Sequence, residues 1–368
     1  MSLNDEITLR SQEIATDSYS MSIGELTSMY KDGELNIHPE FQRFYRWTLD
    51  QKSRFIESIL LGIPIPSIFV FQDSKGKWEV IDGLQRISTI LETMGELIGP
   101  DGIKLETLRL SKTKYLPSLD GKIWTSEDPS IVLTDEAKLK IKRARIDINI
   151  VLNKSDSKAK YELFQRLNTG GSLATDQEVR NCLIIMINKT FFQELSSLAK
   201  EDCFLSCISL SDRLLDEQYD LELLTRFIVL RNYDLEKIVQ INDLSTLLDD
   251  EIVKKCSDPS FNFEIEKKIF KKTFSKLSSS LGEDSFKKYD PSKNKPLGAL
   301  LISVFEIMAL GLGYHYQNDT YDIEDGKVIE VHRGLFVNPT FVRTSGSGVR
   351  ASTRLSTTLK IGRESFNK

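Results

Sequence analysis

Apolar and polar residues recur with two different periods along this chain, and the balance between them changes near residue 190. Before that point, short apolar runs that predict strands alternate with segments whose apolar residues recur every three or four positions, as in amphipathic helices. Beyond it the helical period dominates. The pattern predicts an α+β fold, in which a mixed α/β domain precedes a mostly α-helical domain.

The same pattern predicts three parts: a polar N-terminal arm over residues 1–20, a mixed domain over 21–189 and a helical domain over 190–368. Two capping-box patterns, Thr48-x-x-Gln51 and Thr175-x-x-Glu178, predict helix starts. The remaining elements predicted for the mixed domain are a helix within 21–35, a hairpin over 67–82, a helix over 84–94, an irregular insertion over 99–135, a strand over 144–152 and a helix over 156–168.

The sequence EVIDGLQRISTI, residues 79–90, joins a predicted strand to a predicted helix. Asp82 and Gln85 fit a capping box, which is a purely structural interpretation. Arg86, however, places a cation in the first helical turn, against the helix dipole. Either a salt bridge to Asp82 or a phosphate on the free amides would offset this charge. In the second case Gly83 lets the backbone approach the ligand, and Asp82 holds a divalent cation or orients a water molecule.

Two further stretches have similar chemistry. In FQRFYRW, residues 41–47, Gln42, Arg43 and Arg46 stand among aromatic residues, a combination that binds phosphates and stacks on bases. The alternative is a surface loop whose aromatic residues pack in the core. The second stretch is a predicted turn that contains Asn168, Gly170 and Gly171. Its backbone amides could form an anion-binding nest, and the alternative is a simple helix–loop–helix connection.

Three segments, in this order, resemble the N-terminal domain of GmrSD-type restriction systems, a family of phage-defence proteins marked by a DGQQR motif. They are PEFQRFYRW at 39–47, SILLGIPIP at 58–66 and FQRLNTGGSL at 164–173, with DGLQR at 82–86 between the second and the third. The resemblance implies a ParB/sulfiredoxin-like fold and nucleotide hydrolysis coupled to DNA restriction. It implies a site for a nucleoside triphosphate, and the divalent cation considered for Asp82 would then be Mg²⁺. Asp82, Gln85 and Arg86 would be catalytic, and Gly83, Gln42, Arg43 and Arg46 would join them in binding.

Two departures from the family pattern change the expectation. Leu84 stands where the motif has its first glutamine, which predicts weaker hydrolysis with phosphate binding retained. Larger members also carry a histidine–metal nuclease domain, whereas His315 and His332 stand alone here. A separately encoded nuclease partner is therefore expected.

Charge limits where DNA could bind. The 368-residue chain has a formal net charge of −5, so a DNA surface must be a local patch. The candidates are the loop with Arg43 and Arg46 and a basic C-terminal segment, with a solvated terminal helix as the alternative for the latter. The residues of the C-terminal segment are Arg343, Arg350, Arg354, Lys360 and Arg363.

The four cysteines, with three histidines, predict reduced thiols in a cytoplasmic protein rather than a zinc site. The longest apolar run, residues 297–313, contains Glu306 and falls short of the roughly 20 residues that cross a bilayer. It predicts a buried core helix and no membrane partner.

Three functional hypotheses follow. The leading one is a nucleotide-binding, NTP-hydrolysing, DNA-associated protein of the restriction type. The second is a non-enzymatic DNA-binding or regulatory module with a degenerate nucleotide site. The third is a metal-dependent ParB-like nuclease that uses Asp82.

Overall fold

The computed structural model describes residues 3, 16–37, 47–99, 102–152, 175–346 and 349–367. The chain divides into two compact units, residues 1–173 and residues 174–368. The first contains a mixed sheet with helices and the second is mostly helical, so the predicted α+β class is confirmed.

The first unit is built on a five-stranded mixed sheet with the order β1-β5-β3-β4-β2. β1 pairs antiparallel with β5, β5 parallel with β3, β3 antiparallel with β4, and β4 parallel with β2. The antiparallel pair of β3 and β4 is the predicted hairpin. The strands are β1 Thr16–Ser22, β2 Leu35–Asn36, β3 Ile68–Gln72, β4 Trp78–Asp82 and β5 Arg145–Val151.

Helices of this unit are α1 Ile23–Lys31, α2 Leu49–Leu61, α3 Leu84–Thr93 and α4 Asp135–Arg143. The capping box predicted at Thr48 is confirmed, since its hydroxyl accepts from the Gln51 amide at 3.3 Å and the Gln51 side chain accepts from the Thr48 amide at 2.8 Å. α2 ends at Gly62, whose φ of 71° is the left-handed conformation typical of a helix stop.

The core of the first unit lies where the central strands meet the helices. Ile68 and Val70 of β3 and Ile148 of β5 are fully buried, as are Ile87 and Ile90 of α3. Burial of such side chains contributes about 1.5–3 kcal/mol each. The core therefore holds α3 against the central strands, and this packing positions the β4–α3 junction.

The second unit contains helices and one short hairpin, β6 Lys288–Asp290 with β7 Lys295–Leu297. Its helices are α5 Asp176–Ile187, α6 Lys189–Leu198, α7 Asp202–Leu205, α8 Asp212–Asp216, α9 Tyr219–Leu230, α10 Leu235–Ile238, α11 Leu244–Ser257, α12 Phe263–Ser280, α13 Ile302–His315, α14 Asp325–Leu335, α15 Pro339–Thr344 and α16 Ala351–Ser365. The capping box predicted at Thr175 and Glu178 opens α5 and is confirmed.

α13 is the predicted buried helix, and its residues from 303 to 313 are all buried. It crosses α16 where two glycines meet, because a Cβ on Gly311 would lie 2.7 Å from the Gly362 carbonyl. Among the described residues, no helix is long and apolar enough to cross a membrane.

Three of the named elements of the first unit were not expected. Residues 16–20, within the predicted polar arm, belong to the edge strand β1, residues 35–36 form the short strand β2, and residues 135–143 form α4. The helix predicted over 156–168 lies outside the described residues.

Candidate functional site

The chain turns from β4 into α3 at a single glycine. Gly83 has a φ of 103° and is the N-cap of α3. A Cβ at this position would lie 2.8 Å from Cγ1 of the buried Ile68, so both the backbone conformation and the packing require glycine. Among the described residues, no side chain caps the helix start. The capping interpretation of Asp82 is therefore wrong.

Asp82 pairs instead with Arg86, four residues on. Its Oδ2 accepts from Arg86 Nη2 at 2.7 Å, and the two side chains are 26% and 13% exposed. This is the salt bridge that the sequence offered as one way to offset the charge of Arg86. The pair is electrically neutral, so the positive end of the helix dipole is not cancelled by a lone carboxylate.

Arg86 also holds the chain that leads into β3. Its Nη1 donates to the Pro66 carbonyl at 2.7 Å and to the Ser67 carbonyl at 3.1 Å. One guanidinium thus joins the helix start, the end of β4 and the segment before β3. Such a fork holds its partners in a fixed geometry, which a point charge would not do.

Gln85 connects the helix start to a different part of the chain. Its Oε1 accepts a hydrogen bond from the backbone N–H of Trp47 at 3.1 Å. The Trp47 ring packs edge-to-face against Phe55 of α2, with 5.3 Å between centroids. The residue that follows Arg46 in sequence is therefore anchored at the first turn of α3.

Several residues proposed for nucleotide binding fall in segments that the structure does not describe. Gln42, Arg43 and Arg46 lie within 38–46, and Asn168, Gly170 and Gly171 lie within 153–174. Their participation stays a prediction.

An ion pair ties α3 to α2 behind the junction. Lys52 of α2 and Glu92 of α3 form an ion pair at 2.8 Å with both side chains 14% exposed. Leu84, which replaces a glutamine of the family motif, is partly buried and packs against the core. Its side chain therefore contributes packing to the helix start.

The donor set at the junction suits a phosphate better than a bare metal ion. The first-turn N–H groups of α3 are anion donors, and Asp82 supplies one carboxylate beside them. In the parts of the chain that the structure describes, no group of three or more His, Cys, Asp or Glu side chains is placed to hold a metal ion. Mg²⁺ commonly binds through one carboxylate and the substrate's phosphates, an arrangement that Asp82 fits.

The residues proposed for DNA binding in the second unit divide into two groups. Arg354 pairs with the fully buried Glu306, with Nη2–Oε1 at 3.0 Å and Nε–Oε2 at 3.1 Å. Arg363 donates to the carbonyls of Arg231 and Tyr233 at 3.0 and 2.6 Å. Both guanidinium groups bind partners on other segments of the second unit, so their charges are paired or hydrogen-bonded within that unit.

The second group faces solvent: Arg343, Arg350 and Lys360 are exposed. Lys360 makes a loose i,i+4 pair with Glu364 at 3.9 Å, in which both side chains are about two-thirds exposed. Only these three of the five proposed cations are presented for an external anion.

Sequence reasoning missed the backbone groups of this site. The Pro66 and Ser67 carbonyls and the Trp47 amide each bind a motif side chain, yet a backbone group has no residue-type signature. The sequence pointed to these backbone groups only indirectly: Trp47 and Pro66 lie in the two family-like segments, 39–47 and 58–66, and Ser67 follows the second.

Comparison with known proteins decides the family of the first part of the chain. Residues 23–185 match the model for the N-terminal domain of GmrSD restriction endonucleases. This segment is a GmrSD-type N-terminal domain. The matched residues comprise most of the sheet unit and nearly all of α5. The GmrSD domain indicates a protein of the restriction, phage-defence type. No curated protein and no solved structure matches the chain.

Proposed function

We propose that the GmrSD domain binds the phosphates of a nucleoside triphosphate at the start of α3 and hydrolyses it in support of DNA restriction. The observation that carries the proposal is the β4–Gly83–α3 junction. A helix that starts at a glycine, with no side-chain cap among the described residues, offers its first-turn amides to an anion. The Asp82–Arg86 pair stands beside those amides.

Each motif residue has a distinct part in this proposal. Arg86 contributes a fork that a phosphate can share with Asp82, and its bonds to Pro66 and Ser67 keep it in position. Asp82 accepts a proton from water or holds Mg²⁺ against the phosphates. Gln85 holds the Trp47 amide at the helix start. Gln42, Arg43 and Arg46 precede Trp47 in the sequence, and we propose that they join the same site.

A second candidate is nucleotide binding without turnover, as in a regulatory module. Leu84 favours it, because this position supplies an apolar contact to the core where the motif has an amide. Nucleotide binding at the same anion site would then regulate the interaction of this chain with a partner. A nuclease encoded separately is the partner that we propose for either candidate.

NTP turnover by the wild type separates these candidates, and Asp82→Asn tests the part of Asp82 in that turnover. Asparagine can still accept from Arg86 but is neither a base nor a strong magnesium ligand, so turnover of radiolabelled NTP should fall by about 10²-fold or more. Melting by circular dichroism should change little, since a part-exposed ion pair contributes about 1 kcal/mol or less.

Asp50→Asn is the matched control, because Asp50 forms the same i,i+4 pair with Arg54 at 3.0 Å on α2. It should leave turnover at the wild-type rate. Equal turnover in the wild type and Asp82→Asn removes Asp82 from catalysis. A wild type that binds but does not hydrolyse NTP supports the regulatory candidate.

We also propose that the exposed cations of the second unit contact DNA phosphates. The double substitution Arg350→Ala/Lys360→Ala should reduce the slope of log affinity against log salt by up to about two units, at roughly 0.9 per phosphate. A gel-shift series from low to physiological salt measures that slope. Lys327→Ala, at another exposed lysine of the unit, is the control. An unchanged slope in the double variant would rule out this surface.

A further inference from the structure

A groove on the first unit carries apolar and basic side chains that the nucleotide site does not use. It lies between the C-terminal end of α2 and the face of α4 and has a volume of about 620 Å³. The α2 side is the segment 59–65, which includes the Gly62–Ile63–Pro64 turn, and the α4 side runs from 136 to 145.

The apolar wall of the groove is unusually exposed. Leu61, Ile63 and Leu139 are 45%, 48% and 44% exposed, and all three line the same groove. Scattered exposed apolar residues need no explanation, but a group that shares one concave surface marks a binding site.

The rim is basic in a chain that is acidic overall. Among the described residues that line the groove, the charged ones are Lys140, Arg143, Arg145 and Glu136, and Glu136 pairs loosely with Lys140 at 3.7 Å. These described side chains carry a net positive charge, whereas the whole chain has a net charge of −5. An acidic partner is therefore attracted to this face.

We infer that the groove docks an amphipathic helix of another protein, with aliphatic side chains on one face and Asp or Glu beside them. Aliphatic anchors would cover Leu61, Ile63 and Leu139, and the acidic residues would meet Arg143 and Arg145. A helix laid in an apolar groove is a common recognition mode. Nucleic acid would suit the basic rim but not the apolar wall, because phosphates and sugars offer no apolar groups to pack against that wall.

The probe is a display library of helical peptides with randomised faces, selected on the full-length chain. We expect the enriched peptides to combine Leu or Ile at helical spacing with Asp or Glu. Their affinity, measured by fluorescence anisotropy, should fall by about ten-fold for Leu139→Asp and for Arg143→Glu. Both positions are exposed, so the fold should be retained, and melting by circular dichroism verifies it.

Matched controls lie elsewhere on the same unit. Leu49→Asp replaces an apolar residue that is 48% exposed, and Lys75→Glu reverses an exposed charge in the β3–β4 turn. Neither should change peptide affinity. The inference is overturned if no peptide is enriched, if enriched peptides lack acidic residues, or if Leu139→Asp and Arg143→Glu bind as wild type.

Other occupants are distinguished with the same variants. If the wild type instead binds duplex DNA or anionic lipid vesicles in a manner that Leu139→Asp abolishes, the assignment to a protein helix is wrong. If Leu139→Asp abolishes self-association in sedimentation velocity, the occupant is a second copy of this chain and the inference is likewise overturned.

Discussion

Arg354→Ala should lower the free energy of unfolding of the helical unit by about 3–5 kcal/mol, the cost of leaving a buried charge without its partner. Glu306 is fully buried in α13, and Arg354 donates three hydrogen bonds to its carboxylate. Among the described residues, Glu306 has two further partners, the Thr358 hydroxyl at 2.9 Å and Arg226, whose Nη1 is 3.8 Å away. These do not replace a bidentate guanidinium.

Arg350→Ala is the control for this prediction, since Arg350 lies four residues earlier and is exposed. It should change the free energy of unfolding by less than about 0.5 kcal/mol. Urea unfolding followed by circular dichroism compares the two. If both variants unfold at the wild-type midpoint, the Glu306 pair contributes no stability and Arg354 returns to the set of external cations.

Gly83→Ala should destabilise the first unit by about 2–5 kcal/mol, since two costs add. The φ of 103° is unfavourable for any L side chain by about 1–2 kcal/mol, and the new Cβ collides with Ile68, which adds about 1–3 kcal/mol of overpacking. Ile68 is fully buried in β3 and cannot move aside cheaply.

Gly33→Ala isolates the backbone cost, because Gly33 has a φ of 70° and a methyl group added there would meet nothing within 4 Å. Gly33→Ala should lower the free energy of unfolding by about 1–2 kcal/mol. Thermal unfolding of both variants measures the difference. Equal losses would mean that the contact with Ile68 does not constrain the junction.

The elements with a strong apolar period could be predicted from the sequence, and those without one could not. α2 and α5 were marked by capping boxes and α13 by its apolar run. α4 was missed because Ile141 is its only buried residue, although an N-capping Thr134 and acidic residues in the first turn were present. β1 was missed because, as an edge strand, it exposes its Ser and Tyr side chains.

The site was predictable where its partners are close in sequence. The Asp82–Arg86 pair spans four residues, and its sequence spacing already indicated it. The internal partners of Arg354 and Arg363 could not be predicted from the sequence because they are distant: Glu306 lies 48 residues from Arg354. A lone glutamate in an apolar run was nevertheless a signal, since a buried carboxylate requires a cation or hydrogen-bond donors.

Backbone amide NMR tests most directly whether nucleotide phosphates bind the first turn of α3. ATP, GTP, CTP and UTP, each with Mg²⁺, would be titrated into the isotope-labelled chain. With at least one of them, we expect saturable shifts of the amide signals of Gly83, Leu84, Gln85 and Arg86. The amides of α4, on a different helix of the same unit, should not move. If no nucleotide shifts the α3 amides, or if saturable shifts occur only elsewhere, the assignment of this helix start as the nucleotide site is contradicted.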